Sequence, residues 1–493
     1  MTAREMSKID REQWAPATRS LLVDGQLIEP RGSSWSVINP ATELELARVR
    51  GASATQVDEA VEAAARAFDG WSRLAGTERS RQLHRLADVM AAHSEELLTS
   101  IVNEVGTPVS LARFMQVDMP IEHHLRWFAD AAGIDRTRHL GAWGTPVPTT
   151  SDVVAQPVGV VAAIAGYNYP LTLAIAKIGA ALAAGCTVVL LPSPQTPLTT
   201  LYFGELVRAA ELPAGVLNIL AGGPEIGRLL TSHVGVDHVS FTGSEAVGVQ
   251  VMQQAATNVS GVTLELGGKS SSIVLPDVDV AAVARETHLR WSRNGGQACA
   301  ALARILVHDR VYDEFLDASV AAFTDIQVGD PWDPATTVGP MISSTHRTRV
   351  EDAIEQSRML GARTVAEARR PLPRRGWYVN PVLLADLPLD APAVREEIFG
   401  PVAVVLPFRD VEQAIALAND TRYGLAANVW SADTSAARAI AERIRAGTVW
   451  INGGGSMRPD APFGGLKHSG VGREFGEWGL SAYLEPQHIQ WRS

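Results

Sequence analysis

From residue 159 onward, short apolar runs alternate with segments of helical character, and this alternation limits the fold more than any other feature. The runs read GVVAAIAG, TVVLL, GVLNIL and VDHVSF, and helical segments separate them, the first from Pro170 to Ala184. Such βαβα alternation predicts a doubly wound parallel sheet, which binds dinucleotides at the carboxyl ends of its strands. Because the runs are apolar almost throughout, we expect both faces of the sheet to be covered.

A second alternating block follows, with SSIVL, RILVH and VAVVLPF as strands, and it predicts a second α/β domain. The chain has 493 residues, whereas a single hydrophobic core stops growing at roughly 250–300 residues. Ahead of both blocks, Ser53 and Gln56 resemble the capping box of a helix. Residues 131–150, rich in Gly, Pro and Thr, interrupt the pattern between the helical start and the first block.

Charge and composition exclude several classes of partner. The net charge of −11 argues against binding to a nucleic-acid backbone, which needs a basic surface. No window holds the roughly 18–20 uninterrupted apolar residues of a membrane span, and the N-terminal stretch MTAREMSKIDREQW lacks a secretory apolar run. We therefore expect a cytoplasmic protein that contacts neither nucleic acid nor membrane. Its two cysteines, Cys186 and Cys299, cannot form a four-cysteine zinc site, and we expect no metal.

Cys299 lies in NGGQACAALAR, where Gly295 and Gly296 allow a tight backbone turn. The residues after it resemble the start of a helix, and the positive end of a helix dipole would favour the thiolate. A small buried apolar side chain is the alternative, and the local sequence supports both interpretations equally. Cys186, just before the strand TVVLL, lacks such a setting and is predicted to be structural.

Polar residues follow several of the predicted strands. Glu265, in TLELGGKS, would be costly to bury without a partner, and burial would raise its pKa into the range of a general base. Asn168, in AIAGYNYP, could stabilise an oxyanion. Taken alone, a solvated strand end for Glu265 and a turn or cap for Asn168 are the commoner roles. In SFTGSEAVG, Ser244 opens a helix whose backbone N–H groups could receive a phosphate, although no G-x-G-x-x-G motif is present.

Together, the segments ELGGKS, GQACAALAR, EEIFGPV and PFGGLKHSGVGRE resemble the aldehyde dehydrogenase superfamily in order and spacing, from about residue 20 to the end. The resemblance implies two doubly wound α/β domains, one a Rossmann-like cofactor-binding domain and the other catalytic, with a small β arm for oligomerisation. We expect the cofactor-binding domain at 1–130 and 151–263 and the catalytic domain at 264–463. The arm would comprise 131–150 and 464–493 and would link the subunits of a homotetramer or homodimer.

The resemblance also implies a reaction and the residues that perform it. Cys299 would attack a small aldehyde, Asn168 would hold the oxyanion, and Glu265 would activate the water that hydrolyses the thioester to a carboxylic acid. NAD or NADP would accept the electrons, with NAD the commoner choice in the family. The implied contacts are Lys177, Gly243, Ser244, Leu266, Glu397 and Phe399 for the cofactor, and Tyr169, Arg293, Met457 and Phe463 for the substrate.

Several positions depart from the family pattern. Leu191 and Pro194 replace the lysine and glutamate that handle the adenosine ribose in the family, which leaves the choice between NAD and NADP open. Gly166 and Tyr167 replace a Pro-Trp pair before Asn168, and we expect the corner to survive because Tyr167 keeps an aromatic ring. Arg293 and Arg458 could favour an acidic aldehyde, but surface arginines without a substrate role are the favoured interpretation.

Two other functions compete with hydrolytic aldehyde oxidation. One is transfer of the acyl group to coenzyme A, but enzymes of that kind generally lack the base, so Glu265 weighs against it. The other is a catalytically silent dinucleotide-binding or structural protein, as some relatives have become. The joint presence of Cys299, Glu265 and Asn168 weighs against a silent protein.

Overall fold

The computed structural model describes residues 14–17, 19–368, 371–453 and 457–492, so most of the polar N-terminal stretch lies outside the described residues. The strands, in chain order, are β1 (Leu21–Val23), β2 (Gln26–Ile28), β3 (Ser34–Ile38), β4 (Glu45–Arg50), β5 (Arg138–Trp143), β6 (Thr149–Pro157), β7 (Val160–Ile164), β8 (Thr187–Leu191), β9 (Leu217–Ile219), β10 (His238–Thr242), β11 (Gly261–Glu265), β12 (Ser271–Val274), β13 (Arg304–His308), β14 (Arg363–Glu367), β15 (Val382–Ala385), β16 (Val402–Phe408), β17 (Ala426–Trp430), β18 (Thr448–Ile451), β19 (Gly470–Val471) and β20 (Leu484–Arg492).

The helices of these residues include a long segment with π-helical turns at Arg113–Leu125, continuous with its neighbours on both sides. The α-helices are α1 (Ala54–Ser72), α2 (Gly76–Ala92), α3 (Ser94–Val105), α4 (Val109–Ala112), α5 (Arg126–Ala132), α6 (Pro170–Ala184), α7 (Leu198–Ala209), α8 (Pro224–Thr231), α9 (Glu245–Ala256), α10 (Val280–Trp291), α11 (Tyr312–Ala322), α12 (Ser344–Met359), α13 (Pro392–Arg395), α14 (Val411–Asn419), α15 (Thr434–Ala441) and α16 (Gly476–Ser481).

The first large sheet has the strand order β19-β11-β10-β7-β8-β9-β1-β2. Its inner strands β9, β8, β7, β10 and β11 are parallel, while β19, β1 and β2 run antiparallel to their neighbours. After β7 the chain adds β8 and β9 on one side of that strand, and it then adds β10 and β11 on the other side. A crevice therefore opens at the carboxyl ends of β7 and β10, where doubly wound sheets bind ligands.

The second large sheet has the order β14-β15-β16-β13-β12-β17-β18 and is parallel except at β14. Separate apolar clusters fill its two faces, with Val404 and Val429 in one and Val307 and Val405 in the other. The predicted fold class, two α/β domains with parallel sheets and a small β arm, is confirmed. The limits proposed for the domains stay predictions.

Residues at the helix N-termini explain where α1 and α6 begin. At α1, the Ser53 hydroxyl accepts the Gln56 N–H and the Gln56 side chain accepts the Ser53 N–H, so the predicted capping box is present. Helix α6 begins at Pro170, whose missing N–H costs nothing in a first turn, and it spans the predicted segment.

The β arm is a separate three-stranded sheet in the order β20-β6-β5. Large apolar side chains lie exposed on its outer strands, with Trp143 67% accessible and Ile489 and Trp491 each 45% accessible. Part of the segment 464–493, which we expected in the arm, belongs to the first sheet and its core. Strand β19 pairs with β11, and Phe475 is buried in the apolar cluster around that sheet. The tight Gly-rich turns after residue 463 return the chain to the first sheet before β20 begins.

None of the helices in the described residues is both long and apolar enough to cross a membrane.

Candidate active site

A cavity of about 990 Å³ opens at the carboxyl edge of the first sheet. That volume lies at the upper end of the range of roughly 300–1,000 Å³ for small-molecule and cofactor sites. The structure brings nearly all of the predicted site residues to its walls: Asn168, Tyr169, Gly243, Ser244, Glu265, Leu266, Arg293, Cys299, Glu397, Phe399, Met457 and Phe463. Residues far apart in the sequence therefore meet in one place.

Cys299 lies in a turn that leads into β13, and no helix starts there, so that expectation was wrong. The preceding residues Asn294, Gly295 and Gly296 all have positive φ, between 53° and 71°. At Gly296 a side chain is excluded, because its Cβ would lie 2.2 Å from the Gly400 carbonyl oxygen. This is the tight turn expected at Gly295 and Gly296, but the residues between Cys299 and β13 form no helix, so no helix dipole acts on the thiol.

Hydrogen bonds from Gln297 fix the turn in space. Its side-chain amide donates to the carbonyls of Asn294 at 3.0 Å and Pro340 at 3.1 Å, while its Oε1 accepts the Ile342 N–H at 2.9 Å. The Tyr167 hydroxyl donates to the same oxygen at 3.3 Å, so the corner before Asn168, where Gly-Tyr replaces Pro-Trp, is hydrogen-bonded to the cysteine turn. A satisfied buried network of this kind holds a nucleophile in one position.

The environment of Cys299 disfavours its charged form. Burial raises the pKa of the thiol well above its ordinary value, and the negative charges of Glu265 and Glu397 raise it further. Cys186 is fully buried, and burial raises its pKa to about 12. Because Cys186 does not line the cavity whereas Cys299 does, only Cys299 can meet a bound ligand.

Asn168 occupies the corner between β7 and α6. Its Nδ2 donates to the Gln297 carbonyl at 2.9 Å, and its own carbonyl accepts from the Asn294 Nδ2 at 3.0 Å. The first of these bonds uses one amide N–H, which leaves the second for a ligand in the cavity. The side chain is therefore fixed near Cys299 as an available hydrogen-bond donor.

Glu265 is the last residue of β11 and is 3% exposed. Neither of its carboxylate oxygens makes a hydrogen bond of normal geometry to another described residue. Burial raises its pKa well above the ordinary value, and the nearby Glu474 adds to the rise, against smaller opposing effects of Lys177 and Arg473. An unpartnered buried carboxyl in a cavity is suited to exchanging protons with a ligand or water.

Lys177 is placed differently from the expected cofactor contact. Its ammonium group is fully buried, donates to Glu474 Oε1 at 2.6 Å and to Ser240 Oγ at 3.3 Å, and does not line the cavity. Glu474 was not among the site residues expected from the sequence. It is the last residue of PFGGLKHSGVGRE, and two backbone hydrogen bonds of 2.7 Å to Phe463 hold it at the cavity wall.

The part of the cavity at the N-terminus of α9 has groups that suit a dinucleotide. Ser244 is the N-cap of α9, and its side chain makes no capping hydrogen bond, so the first N–H groups of this helix remain available to an anion. Glu397 Oε1 accepts the Gly268 N–H at 3.0 Å, and burial raises the pKa of Glu397 to about 7. A Cβ at Gly267 would lie 2.3 Å from Glu397 Oε2, so a side chain at this position would displace the Glu397 carboxyl.

The adenosine end of the cavity carries no carboxylate at the two substituted positions. Leu191 ends β8, Pro194 follows it, and both line the cavity with Arg228. Phe399, which also lines the cavity, has a φ of +56° and packs edge-on against Tyr167, with 5.9 Å between ring centroids. A bulky residue in this left-handed conformation is strained, which is common where a site must hold a side chain in place.

The two arginines singled out in the sequence have different surroundings. Arg293 lines the cavity. Arg458 forms an exposed pair with Asp460, with nitrogen–oxygen distances of 2.8 and 2.7 Å, and does not line the cavity. The surface role is thus observed for Arg458 and not for Arg293.

The site can now be compared with known proteins. The family model described as the aldehyde dehydrogenase family matches residues 27–489. The chain is 39% identical to an aldehyde dehydrogenase of Enchytraeus buchholzi over 94% of this chain and 93% of that protein. It is 40% identical to a geranial dehydrogenase of Castellaniella defragrans over 94% of this chain and 96% of that protein.

Solved structures agree with the sequence comparison. The fold matches a mutant of aldehyde dehydrogenase C from Pseudomonas syringae, in complex with NAD+ and octanal, with a TM-score of 0.92 and 38% identity. The match covers 97% of this chain and 98% of that one. The site and fold define an oxidoreductase of the NAD-linked α/β type. This chain belongs to the aldehyde dehydrogenase family.

The raised pKa of Cys299 predicts how the thiol reacts without cofactor. Alkylation by iodoacetamide should accelerate as pH rises, because only the thiolate attacks. In Glu265→Gln the profile should move to lower pH, since one of the charges that raise the thiol pKa is gone. Peptide mass spectrometry measures both cysteines, with buried Cys186 as the unreacted internal control. An unchanged profile, or one moved to higher pH, would contradict the electrostatic account.

Proposed function

We propose that this protein oxidises a small aldehyde to the free carboxylic acid through a thioester on Cys299. As a member of the aldehyde dehydrogenase family, it is an NAD(P)-dependent oxidoreductase acting on aldehydes. One observation carries the mechanism: Cys299, Asn168 and Glu265 line a single cavity that continues to the N-terminus of α9. A nucleophile, an oxyanion donor and a base are the groups that acyl-enzyme chemistry needs.

In this mechanism the Cys299 thiol releases its proton to solvent, and the thiolate attacks the aldehyde carbon while the free Asn168 N–H donates to the oxygen that becomes negative. The carbon of this adduct then loses its hydrogen as a hydride, the C=O bond re-forms, and the thioester results. When bound, the oxidised dinucleotide supplies a hydride acceptor whose positive ring charge also offsets the burial that disfavours the thiolate. Glu265, whose pKa is raised by burial, then removes a proton from the water that attacks the thioester carbon. The C–S bond breaks, and the acid leaves.

The cavity offers groups for each part of a dinucleotide. The α9 N-terminus at Ser244 would hold the pyrophosphate, and Glu397 would accept hydroxyl hydrogen bonds from the nicotinamide ribose. Leu266, Gly243 and Phe399 would supply apolar and close backbone contacts. NAD is supported by the NAD+ bound to the similar Pseudomonas syringae enzyme. NADP is the second option because no carboxylate stands at Leu191 or Pro194.

The β arm supports assembly of several copies. Exposed apolar side chains on unpaired edge strands are unfavourable in water and bind readily to another chain. We propose that β5 and β20 bury Trp143, Ile489 and Trp491 against a neighbouring subunit in a homotetramer or homodimer. We expect this assembly in the cytoplasm.

The catalytic roles predict separable defects. Cys299→Ala should abolish NADH formation, because no thioester can form. Glu265→Gln should release about one NADH per site in a first turnover and then turn over roughly 10²–10⁴-fold more slowly than wild type, as expected for loss of a general base. Stopped-flow absorbance with and without coenzyme A measures both phases.

Cys186→Ala is the matched control and should keep wild-type turnover. Full activity in Cys299→Ala would refute the mechanism. A requirement of the wild-type protein for coenzyme A would instead favour acyl transfer over hydrolysis.

The open adenosine end predicts that cofactor preference can be changed at one position. The wild-type protein should reduce both NAD and NADP. Pro194→Glu should raise the ratio of kcat/KM for NAD over NADP by about tenfold or more, since a carboxylate accepts from ribose hydroxyls and repels a 2′-phosphate. Arg228→Gln should move the same ratio upward by weakening NADP alone. Equal ratios in wild type and Pro194→Glu would show that this position does not face the ribose.

The arm predicts a change of oligomeric state. Ile489 and Trp491 lie on one face of β20, two residues apart, so Ile489→Asp combined with Trp491→Asp places two charges where a subunit would pack. Light scattering after size exclusion should show a smaller species than wild type. Gln490→Asp, on the opposite face of the strand, is the control. A wild-type monomer, or a double variant of unchanged mass, would argue against the arm as the interface.

A further inference from the structure

Arg293 lies immediately before the left-handed turn that carries Cys299 and lines the same cavity. Burial lowers the pKa of its guanidinium, and the neighbouring Arg290 lowers it further. Burial raises the pKa of Tyr169, another wall residue; Cys299 raises it further, and the charge of Arg293 opposes the rise. Arg293 and Tyr169 therefore line, together with Cys299, the cavity that a substrate of Cys299 would enter.

The charge of Arg293 is not neutralised within the described residues. No carboxylate of those residues lies within ion-pair distance of it, whereas Arg290 pairs with Glu286 at 2.6 Å and Arg458 with Asp460 at 2.7 Å. A partly buried charge without a partner is unfavourable. An anion that entered the cavity would supply the missing partner, as a substrate does for a substrate-binding arginine.

We propose, on the basis of the function proposed above, that the substrate is an aldehyde with a carboxylate at its far end and that Arg293 binds this carboxylate. A guanidinium fork matches a carboxylate with two parallel hydrogen bonds. A single cation balances one negative charge, and Arg290 is already paired with Glu286, so a monoanionic carboxylate fits better than a doubly charged phosphate. Arg293 is thus the specificity-determining residue at one end of the cavity, with Cys299 at the reacting end.

The test compares aldehydes of equal carbon number with and without the carboxylate: 4-oxobutanoate against butanal, and 5-oxopentanoate against pentanal. Wild type should show the higher kcat/KM for at least one oxo acid over its neutral counterpart. Arg293→Gln should lower this ratio by roughly 10- to 100-fold, mainly through KM, the size expected for a lost hydrogen bond between charged groups. Arg293→Lys should retain part of the preference.

Arg458→Gln is the matched control, because it removes an arginine that is paired and outside the cavity, and its ratio should equal that of wild type. A measurement on wild type avoids any folding defect of the variants. Raising the salt concentration from about 0.05 to 0.5 M should increase KM for the oxo acid more than for the neutral aldehyde, since ions screen the charge pair.

The outcomes separate this proposal from the proposed function. Oxidation of butanal with an unchanged substrate ratio in Arg293→Gln would overturn the role of Arg293 while leaving the dehydrogenase activity intact. A preference for glyceraldehyde 3-phosphate over both oxo acids would overturn the carboxylate assignment. Absence of NADH formation with every one of these aldehydes would overturn the proposed function itself.

Discussion

Parallel strands in the first sheet place their carboxyl ends along one edge, and every part of the site depends on that geometry. Asn168 follows β7, Pro194 follows β8, Ser244 follows β10, and Glu265 ends β11. Because the chain reverses direction between β7 and β10, the helices after these strands diverge and leave a crevice there. The second sheet contributes the Cys299 turn, which leads into β13, and the segment with Glu397 and Phe399, which leads into β16.

Electrostatics within the site is governed by burial. Glu265, Glu397 and Cys299 all have raised pKa values for the same first reason, loss of hydration. Nearby carboxylates add to the effect, Glu265 and Glu397 at Cys299, Glu474 at Glu265, and Glu245 at Glu397. The buried Lys177–Glu474 pair beneath them limits how much negative charge accumulates. The carboxyls of Glu265 and Glu397 therefore keep their protons to higher pH than exposed carboxyls do.

Much of this organisation could be predicted from the sequence, because strand and helix periodicity, caps and short motifs are local signals. The helix Pro170–Ala184, the capping box at Ser53 and the cavity positions of Glu265 and Asn168 belong to that class. The tight turn at Gly295 and Gly296 was expected and is present, whereas the helix expected after Cys299 is absent, because the Ala-rich residues there only resemble a helix start. Glu474 was missed because its role depends on a contact with Lys177 that is distant in sequence.

The high pKa of the Cys299 thiol has a consequence for the lifetime of the protein in a cell. Peroxides oxidise thiolates far faster than thiols, and the first product can proceed to irreversible sulfinic and sulfonic acids. A nucleophile that stays protonated while the cavity is empty presents little of the vulnerable form between turnovers. Burial of the thiol thus lowers the share of thiolate that a peroxide could oxidise between turnovers.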